Sequence, residues 1–320
     1  MSAVVRAGKK SGRQTGSGKL MPAELMARVR QIQIRTHRLV STILQGAYHS
    51  TFRGTGIEFE EVRPYLPGDE VRFIDWNVTA RTGEPFVKSY VEERQLTLQF
   101  LVDTSRSMDF GSGPRTKREA AAYVCALLSF VAVQQQDQVG LCLFADEPGL
   151  HLTPDKGLGH VLRVVREVMA AEARGTGSSL AAVLEHQLRH LHRRSFVFVV
   201  SDFLEAGSED WGRVLVRVAR RHDVVCVRVF DSFEERLPEG GGILVLEDLE
   251  TGRPLEVDTR SASVRAAWRR EAFERRESLL ETLARAKVDL VEIDAAVEKD
   301  GEVVDPLVAY LRRRARGRRR

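Results

Sequence analysis

Three short segments of the chain put carboxyl and hydroxyl groups next to predicted strand ends and helix starts. D-T-S-R-S at 103–107 follows an apolar run, R-G-T-G-S-S at 174–179 precedes a helical pattern, and S-D at 201–202 ends another apolar run. The residues concerned are Asp103, Ser105, Ser107, Thr176, Ser178, Ser179 and Asp202. Such oxygen atoms are the ligands of hard cations, and Mg²⁺ takes about six of them at ~2.1 Å. The pattern therefore predicts a divalent-cation site, most naturally for Mg²⁺, with Mn²⁺ or Ca²⁺ as alternatives.

Helix capping is the simpler interpretation of the same residues. Asp, Ser and Thr are common N-caps, because their oxygens accept hydrogen bonds from the free N–H groups of a first helical turn. D-x-S-x-S alone would favour capping, whereas three such segments at corresponding positions favour a metal. Hydroxyls with only one or two carboxylates leave a divalent ion partly uncompensated, so it would accept an acidic side chain from a partner protein.

The elements that must position these residues alternate in type after residue 95. Continuous apolar runs such as L-T-L-Q-F-L-V at 96–102 and S-F-V-F-V-V-S at 195–201 predict buried strands, and amphipathic helices lie between such runs. This order predicts an α/β domain with an open, mostly parallel sheet and helices on both faces. Ligands of such sheets bind beyond the carboxyl ends of the strands, where all three segments are expected.

The remaining chain predicts three further regions. Residues 1–20 are rich in Gly, Ser and Lys and predict a disordered basic tail. Residues 21–94 predict a helix, from about 22 to 44, and a small irregular β subdomain. Residues 95–300 form the α/β domain, with a hairpin expected in 243–257, and residues 301–320 a C-terminal helix and an Arg-rich tail.

Composition indicates a soluble globular protein. The 320 residues are 43% hydrophobic and 29% charged, and no apolar run reaches the ~18 to 20 residues of a membrane span. No signal-peptide pattern is present at the N-terminus, so the cytoplasm is the expected compartment. Cys125, Cys142 and Cys226 lie in apolar runs and predict small core residues rather than disulfides or a zinc site.

Positive charge is concentrated at the two ends of the chain. The first 20 residues hold five basic residues and no acid, and residues 312–320 hold seven arginines and no acid. Between these segments acidic residues outnumber basic ones. A block of this density predicts a solvated, disordered tail, with salt-dependent attachment to nucleic acid or an acidic membrane surface as the alternative.

Two groups of residues in this chain resemble known protein families. D-T-S-R-S, a hydroxyl loop and S-D together resemble the metal-ion-dependent adhesion site of von Willebrand factor A domains. The block at 56–83, G-I-E-F-E-E-V-R-P-Y-L-P-G-D-E-V-R-F-I-D-W-N-V-T-A-R-T-G, resembles the signature of the bacterial domain-of-unknown-function 58 family. The resemblance covers roughly residues 45–300 and implies a von Willebrand factor A-like fold. By position it implies the ligands Asp103, Ser105, Ser107, Ser178 and Asp202, with Thr176 and Ser179 as further candidates.

The signature block contributes Asp69, Asp75, Trp76 and Arg81, and Glu92 follows it. These residues could form a surface recognition site. They could equally form a buried ion-pair network that fastens the β subdomain to the sheet, and this second interpretation is favoured because such mixtures with Pro and Gly are common in packed irregular elements.

The resemblance implies a non-catalytic adaptor. Its implied partners are a MoxR-type AAA+ ATPase and a client protein that offers an acidic side chain to the metal, in the assembly or maturation of other complexes. One alternative is a binder of nucleic acid or membrane surfaces through the arginine tail. A second is a hydrolase with Ser105 as nucleophile, which is disfavoured because no G-x-S-x-G motif occurs. His186, His190 and His192 include an i, i+4 pair, but an exposed helix face is the favoured interpretation.

Overall fold

The computed structural model describes residues 3–4, 27, 29–31, 58–91, 96–172, 177–204, 211–240, 242–248 and 254–317. The strands are β1 Ala3–Val4, β2 Glu58–Pro64, β3 Phe86–Val91, β4 Thr97–Asp103, β5 Gln138–Phe144, β6 Pro148–Asp155, β7 Phe196–Ser201, β8 Asp223–Phe230, β9 Ile243–Asp248, β10 Pro254–Asp258 and β11 Asp289–Asp294. The helices are α1 Trp76–Thr82, α2 Lys117–Gln134, α3 Leu158–Ala170, α4 Leu180–His190, α5 Trp211–Arg221, α6 Ser232–Glu235, α7 Ala262–Ala286 and α8 Asp300–Gly317. Val71–Phe73 and Arg106–Asp109 form short 3₁₀ helices.

The central sheet has six strands in the order β11-β8-β7-β4-β5-β6. Each neighbouring pair is parallel except β5 and β6, which are antiparallel, so β6 is an antiparallel edge strand. Strand order reverses at β4, because β5 lies on one side of it and β7 on the other. The connections leaving β4 and β7 therefore diverge, which opens a crevice at the carboxyl ends of these two strands.

Helices cover both faces of this sheet. Leu98, Phe100 and Val102 of β4 pack into a core with α2, α3 and α8, while Leu101 packs into a second core with α4, α5 and α7. Successive strand residues thus enter opposite cores, which is why the strands are apolar throughout. The predicted fold class, a von Willebrand factor A-like open and mostly parallel sheet with helices on both faces, is confirmed.

Two smaller sheets accompany the central one. Strands β2 and β3 pair antiparallel in the predicted β subdomain, and β1, β9 and β10 form a three-stranded antiparallel sheet. The β9–β10 hairpin, expected from its sequence, contributes Leu246 and Val257 to a third small core with Phe110 and Leu237. Ala3–Val4 pair with β9, so the prediction of a wholly disordered segment 1–20 is wrong at these two residues.

The C-terminal arginines differ from the predicted solvated tail. Helix α8 continues to Gly317, and the Arg314 guanidinium bonds the Asp223 carboxylate and, at 2.6 Å, the Tyr310 hydroxyl. Ala315 is buried against the domain. Because these contacts order the helix, the prediction of disorder is wrong for 312–317; residues 318–320 lie outside the described part.

Two other predictions concern the N-terminal helix and the cysteines. Ala27 and residues 29–31 are helical, and the rest of the helix predicted over 22–44 lies outside the described residues. Cys125, Cys142 and Cys226 are buried and unbridged, as core residues should be. Within the ranges that the structure describes, we find no helix with the length and hydropathy needed to cross a bilayer.

Candidate metal and partner site at the sheet edge

Asp103 ends β4 at the centre of the sheet, and its side chain is fully buried at 0% exposure. The Ser105 backbone N–H donates to Asp103 Oδ1 at 2.8 Å, which turns the chain sharply after the strand. The hydroxyls of Ser105 and Ser107 then lie 3.0 Å apart. The alternate spacing at 103, 105 and 107 thus brings three oxygen-bearing side chains to one end of the strand.

The second loop approaches the same carboxylate. The Ser178 hydroxyl donates to Asp103 Oδ2 at 2.7 Å. Ser179 instead begins α4, where its hydroxyl accepts from the Ala182 N–H at 3.3 Å, as an N-cap does. The structure therefore brings Ser178 to the site and gives Ser179 a capping role, while Thr176 lies outside the described residues.

The third loop follows β7, which runs beside β4. The Ser201 hydroxyl donates to Asp103 Oδ2 at 2.7 Å, and Asp202 accepts a hydrogen bond from Ser107. The five predicted ligands Asp103, Ser105, Ser107, Ser178 and Asp202 are consequently neighbours at the carboxyl edge of the sheet.

A strained residue fixes the third loop. Phe203 has φ 56°, in the left-handed region that bulky residues rarely adopt. Its N–H donates to Ser201 Oγ at 3.0 Å, and the next N–H, that of Leu204, donates to Asp202 Oδ1 at 3.2 Å. The Phe203 side chain is buried against Trp211, with ring centroids 6.0 Å apart. This burial offsets a backbone cost that is of order ~1–3 kcal/mol for such conformations.

Lys117 brings a buried ammonium group to the site. It is the first residue of α2 and is 0% exposed, and its Nζ lies 2.7 Å from Asp202 Oδ2 and 2.7 and 2.9 Å from the two Glu234 oxygens. Burial lowers the pKa of Lys117, but the charges of the two carboxylates outweigh it and the net shift is upward. Burial likewise raises the pKa of Asp202, and Lys117 reverses that to a net lowering.

Among the residues that the structure describes, no cationic side chain forms a hydrogen bond with Asp103. Burial raises its pKa, and the negative charge of Asp202 raises it further, while the hydrogen bonds from Ser201, Ser105 and Ser178 oppose the shift without cancelling it. The nearby Arg118 guanidinium pairs with Asp109 at 2.5 Å. Arg118 attracts Asp103 through space but pairs with Asp109, so hydrogen bonds rather than an ion pair hold the Asp103 carboxyl.

The residues present fit a divalent cation in chemistry and in charge. The three carboxylates of Asp103, Asp202 and Glu234 and the one ammonium of Lys117 sum to a formal charge of −2. Asp231, buried at the end of β8, adds to the negative charge near Glu234. Carboxylate and hydroxyl oxygens are ligands of hard cations, and burying such charge unpaired is costly.

The signature block occupies a different part of the molecule, around the β2–β3 hairpin. Arg63 pairs with Asp69 through two hydrogen bonds of 2.7 and 2.8 Å, which lower the pKa of Asp69. Asp75 is the N-cap of α1 and accepts from two backbone N–H groups. Trp76 is 67% exposed and Arg81 is also exposed, so the predicted buried ion-pair network is wrong. Glu92 lies outside the described residues, and surface recognition by this block stays a prediction.

Sequence reasoning missed Ser201, Lys117 and Glu234. One signal was available for Lys117: T-K-R-E puts two cations in the first turn of a helix, where the helix dipole disfavours positive charge. Such a placement indicates nearby carboxylates. Glu234 gave no signal, because it lies 117 residues from Lys117 in the chain and joins it only through the fold.

Comparisons with known proteins identify a family and several similar chains. The model of the family described as "Protein of unknown function DUF58" matches residues 61–278. The uncharacterized proteins Rv1480 of Mycobacterium tuberculosis and Mb1516 of Mycobacterium bovis are each 30% identical over 306 residues, covering 94% of this chain and 93% of theirs. Among solved structures, conserved hypothetical protein BatB from Bacteroides thetaiotaomicron matches with a TM-score of 0.47 and 13% identity, over 69% of this chain and 99% of that one.

Proposed function

Since the chain belongs to the DUF58 family, whose description assigns no activity, we propose its function from the site itself: a non-catalytic adaptor that holds an acidic side chain of a partner through a bound divalent cation. The observation that carries this proposal is the cluster of Asp103, Ser105, Ser107, Ser178 and Asp202 at one strand edge, around the buried Asp103 carboxyl group. An interaction domain is also what the von Willebrand factor A-like fold suggests.

The cation we propose is Mg²⁺, held by these five residues. It would supply positive charge that the Asp103 carboxylate lacks and a coordination position for an external carboxylate. The protein's own part is to fix the oxygens: Ser201 and Ser178 orient Asp103, and Leu204 N–H and Lys117 orient Asp202. Lys117 is shared between Asp202 and Glu234, so its single positive charge does not neutralise both of these carboxylates.

The hydroxyl chemistry supports binding rather than hydrolysis. A serine nucleophile needs a base within hydrogen-bond reach, usually a histidine. Ser105 Oγ instead pairs with Ser107 Oγ, and no hydrogen bond joins Ser105 to a histidine in the described part of the chain. Ser105 is therefore proposed as a ligand and not as a nucleophile.

For partners we propose a MoxR-type AAA+ ATPase and a client protein that presents Asp or Glu. The test is a pull-down of ATPases from the native cell lysate on the purified full chain, with Mg²⁺ or with EDTA. We expect capture that disappears with EDTA and with Asp103→Ala. The matched control is Asp155→Asn, an exposed carboxylate in β6 outside the site, which should retain capture.

Two results would contradict this proposal at different levels. If neither EDTA nor Asp103→Ala changes the capture, the metal is excluded and the adaptor function stands. Lys117 would then be the cation of a metal-free site. Recovery of nucleic acid alone, lost on removing the terminal arginines, would replace the adaptor by the nucleic-acid alternative.

A further inference from the structure

A second cluster of metal-ligating side chains lies away from the sheet edge. Cys142 of β5, His151 of β6 and His186 of α4 each offer one ligand atom, and these atoms all lie within 4.8 Å of one another. Three different elements thus direct a thiol and two imidazoles to one point, between the edge of the sheet and the helix that covers it.

The fold sets these positions. Cys142 and His151 are register partners in the antiparallel β5–β6 pair, so their side chains leave the same face side by side. His186 and His190 are one helical turn apart on α4, with stacked rings 3.9 Å between centroids and 20° between planes. The His151 ring lies 5.3 Å from that of His186 and 5.5 Å from that of His190.

The hydrogen bonds of the histidines leave ring nitrogens available. His151 Nδ1 is buried and has no hydrogen-bond partner among the described residues, an unusual state for a buried polar atom. His190 Nδ1 donates to the His186 carbonyl oxygen at 2.8 Å, which fixes the ring and leaves Nε2 outside this hydrogen bond. This hydrogen bond is typical of histidines that bind metals.

Protonation of the two histidines also suits metal binding. Burial lowers the pKa of His151, and the neighbouring His190 lowers it further. Burial and then His190 and His151 lower the pKa of His186 in the same way. Both shifts favour the neutral imidazole that ligation requires, whereas burial raises the pKa of the Cys142 thiol to about 12, so this thiol loses its proton only when the metal binds.

We propose that Cys142, His151 and His186 bind a transition-metal cation of the Zn²⁺ class, with His190 or a water molecule as the fourth ligand. One thiolate with imidazoles selects Zn²⁺ and similar borderline cations over Mg²⁺. Binding forms one metal–sulfur bond and releases the Cys142 thiol proton to solvent.

To bind a metal, the three ligand atoms need to move only slightly closer together. Zn–S and Zn–N bonds of about 2.3 and 2.0–2.1 Å put tetrahedral ligand atoms roughly 3.3–3.7 Å apart, against the present limit of 4.8 Å. A bound ion would tie the edge strand β6 to α4. The role we infer is therefore structural, and it is independent of the strand-end site.

The test uses the purified full chain, stripped of metal and then titrated with Co²⁺ in excess Mg²⁺, so that oxygen-only sites are already filled. We expect the near-ultraviolet charge-transfer band that a thiolate ligand gives to Co²⁺, and its displacement by Zn²⁺. Cys142→Ser should abolish the band, and His186→Gln should weaken Zn²⁺ binding by more than about 100-fold, beyond the effect of losing an outer hydrogen bond.

Matched controls separate ligation from folding. Cys226→Ser changes another buried strand thiol, and His192→Gln changes an exposed histidine just after α4; both should bind like the unchanged chain. Zn²⁺ should also raise the Tm of the unchanged chain and not that of His186→Gln, whose folding is checked by circular dichroism. Absence of the thiolate band, or equal Zn²⁺ affinity of the folded His186→Gln variant, would overturn the proposal.

Discussion

Lys117 shows how one side chain can determine the charge of a whole site. Its ammonium neutralises Glu234 and binds Asp202, all three in a buried environment. Removing one partner of such a group leaves charges with neither water nor a counter-ion, which is far more costly than losing an exposed ion pair.

We therefore predict that Lys117→Met destabilises the protein by about 3–5 kcal/mol in urea unfolding followed by circular dichroism. The control is Lys299→Met, whose ammonium pairs with Glu302 but is 81% exposed, and which should change stability by less than about 0.5 kcal/mol. Similar small effects of the two substitutions would mean that Asp202 and Glu234 are not held by this ammonium.

Asp103, unlike Lys117, leads to a prediction about how stability depends on pH. Burial and Asp202 raise its folded-state pKa above the unfolded value of about 3.9, so the folded chain binds that proton more tightly. The contribution of this group to the free energy of unfolding is then greatest at low pH and is lost as pH rises through the folded-state pKa. A divalent cation at the ionised carboxylate should compensate for this loss.

We expect the stabilisation by Mg²⁺ to increase as the pH rises above the unfolded-state pKa of about 3.9 and through the raised folded-state pKa of Asp103, measured as the difference in Tm with Mg²⁺ and with EDTA. Asp103→Asn should abolish this difference while the Asp155→Asn control retains it. Stabilisation by Mg²⁺ that is equal at all pH values, or unchanged in Asp103→Asn, would exclude Asp103 as the compensated group.

At this residue scale the sequence predicted which side chains lie together at the strand ends but not their electrostatics, and their role as ligands stays a prediction. The alternation of Asp103, Ser105 and Ser107 and the S-D after a strand are local patterns, and the structure brings them together. The choice of Ser178 over Ser179 depends on where α4 begins. Glu234 joins the site through a contact that spans 117 residues of sequence, which no local pattern encodes.

At the scale of elements, side chains of the two strands that flank β5 fill the space beside Gly140. A Cβ atom on Gly140 of β5 would lie 2.2 Å from Gln99 Oε1 and 3.0 Å from Pro154 Cγ, so the two neighbouring strands leave no room for it. Gly159, in the first turn of α3, has nothing within 4 Å of the corresponding position.

These two glycines form a matched pair of substitutions. Gly140→Ala should destabilise the protein by about 1–3 kcal/mol through overpacking. Gly159→Ala should stabilise it by about 0.4–1 kcal/mol, because alanine favours the helix and restricts the unfolded chain. Thermal unfolding of both variants checks this; equal shifts would contradict the tight packing of β4, β5 and β6.

The elements themselves were largely predictable, because strands buried on both faces and amphipathic helices have distinct periods. The β9–β10 hairpin was also predicted, but its packing on Phe110 and Leu237 was not, since that core joins segments far apart in the chain. The buried network expected in the signature block was wrong because Asp69 and Asp75 stabilise their own turn and helix instead.

For the whole molecule, the C-terminal arginines belong partly to the fold. Arg314 is mostly buried and bonds Asp223 and Tyr310, whereas residues 318–320 lie beyond the described helix. Charge density alone predicted one solvated tail, because composition cannot distinguish an arginine that docks on the sheet from one that does not.

We predict that Arg314→Ala destabilises the protein by about 1–3 kcal/mol in urea unfolding, since it removes the buried hydrogen bonds of the guanidinium to Asp223 and Tyr310. Removal of residues 318–320 should leave stability unchanged and is the proper variant for testing nucleic-acid attachment. If Arg314→Ala and the unchanged chain are equally stable, the whole arginine segment is a solvated tail, as the sequence predicted.

The bonds around Asp103 and Lys117 span 75, 85, 98 and 117 residues of sequence. Contacts of such separation close late, because each must first overcome the entropy of a long loop. A chain that leaves the ribosome before β8 and α6 have been synthesised, or a partly folded chain, contains the motif residues. It has not yet brought them together at the site. A partner that binds this edge of the sheet would therefore bind only fully folded molecules. Its binding would then report that folding is complete.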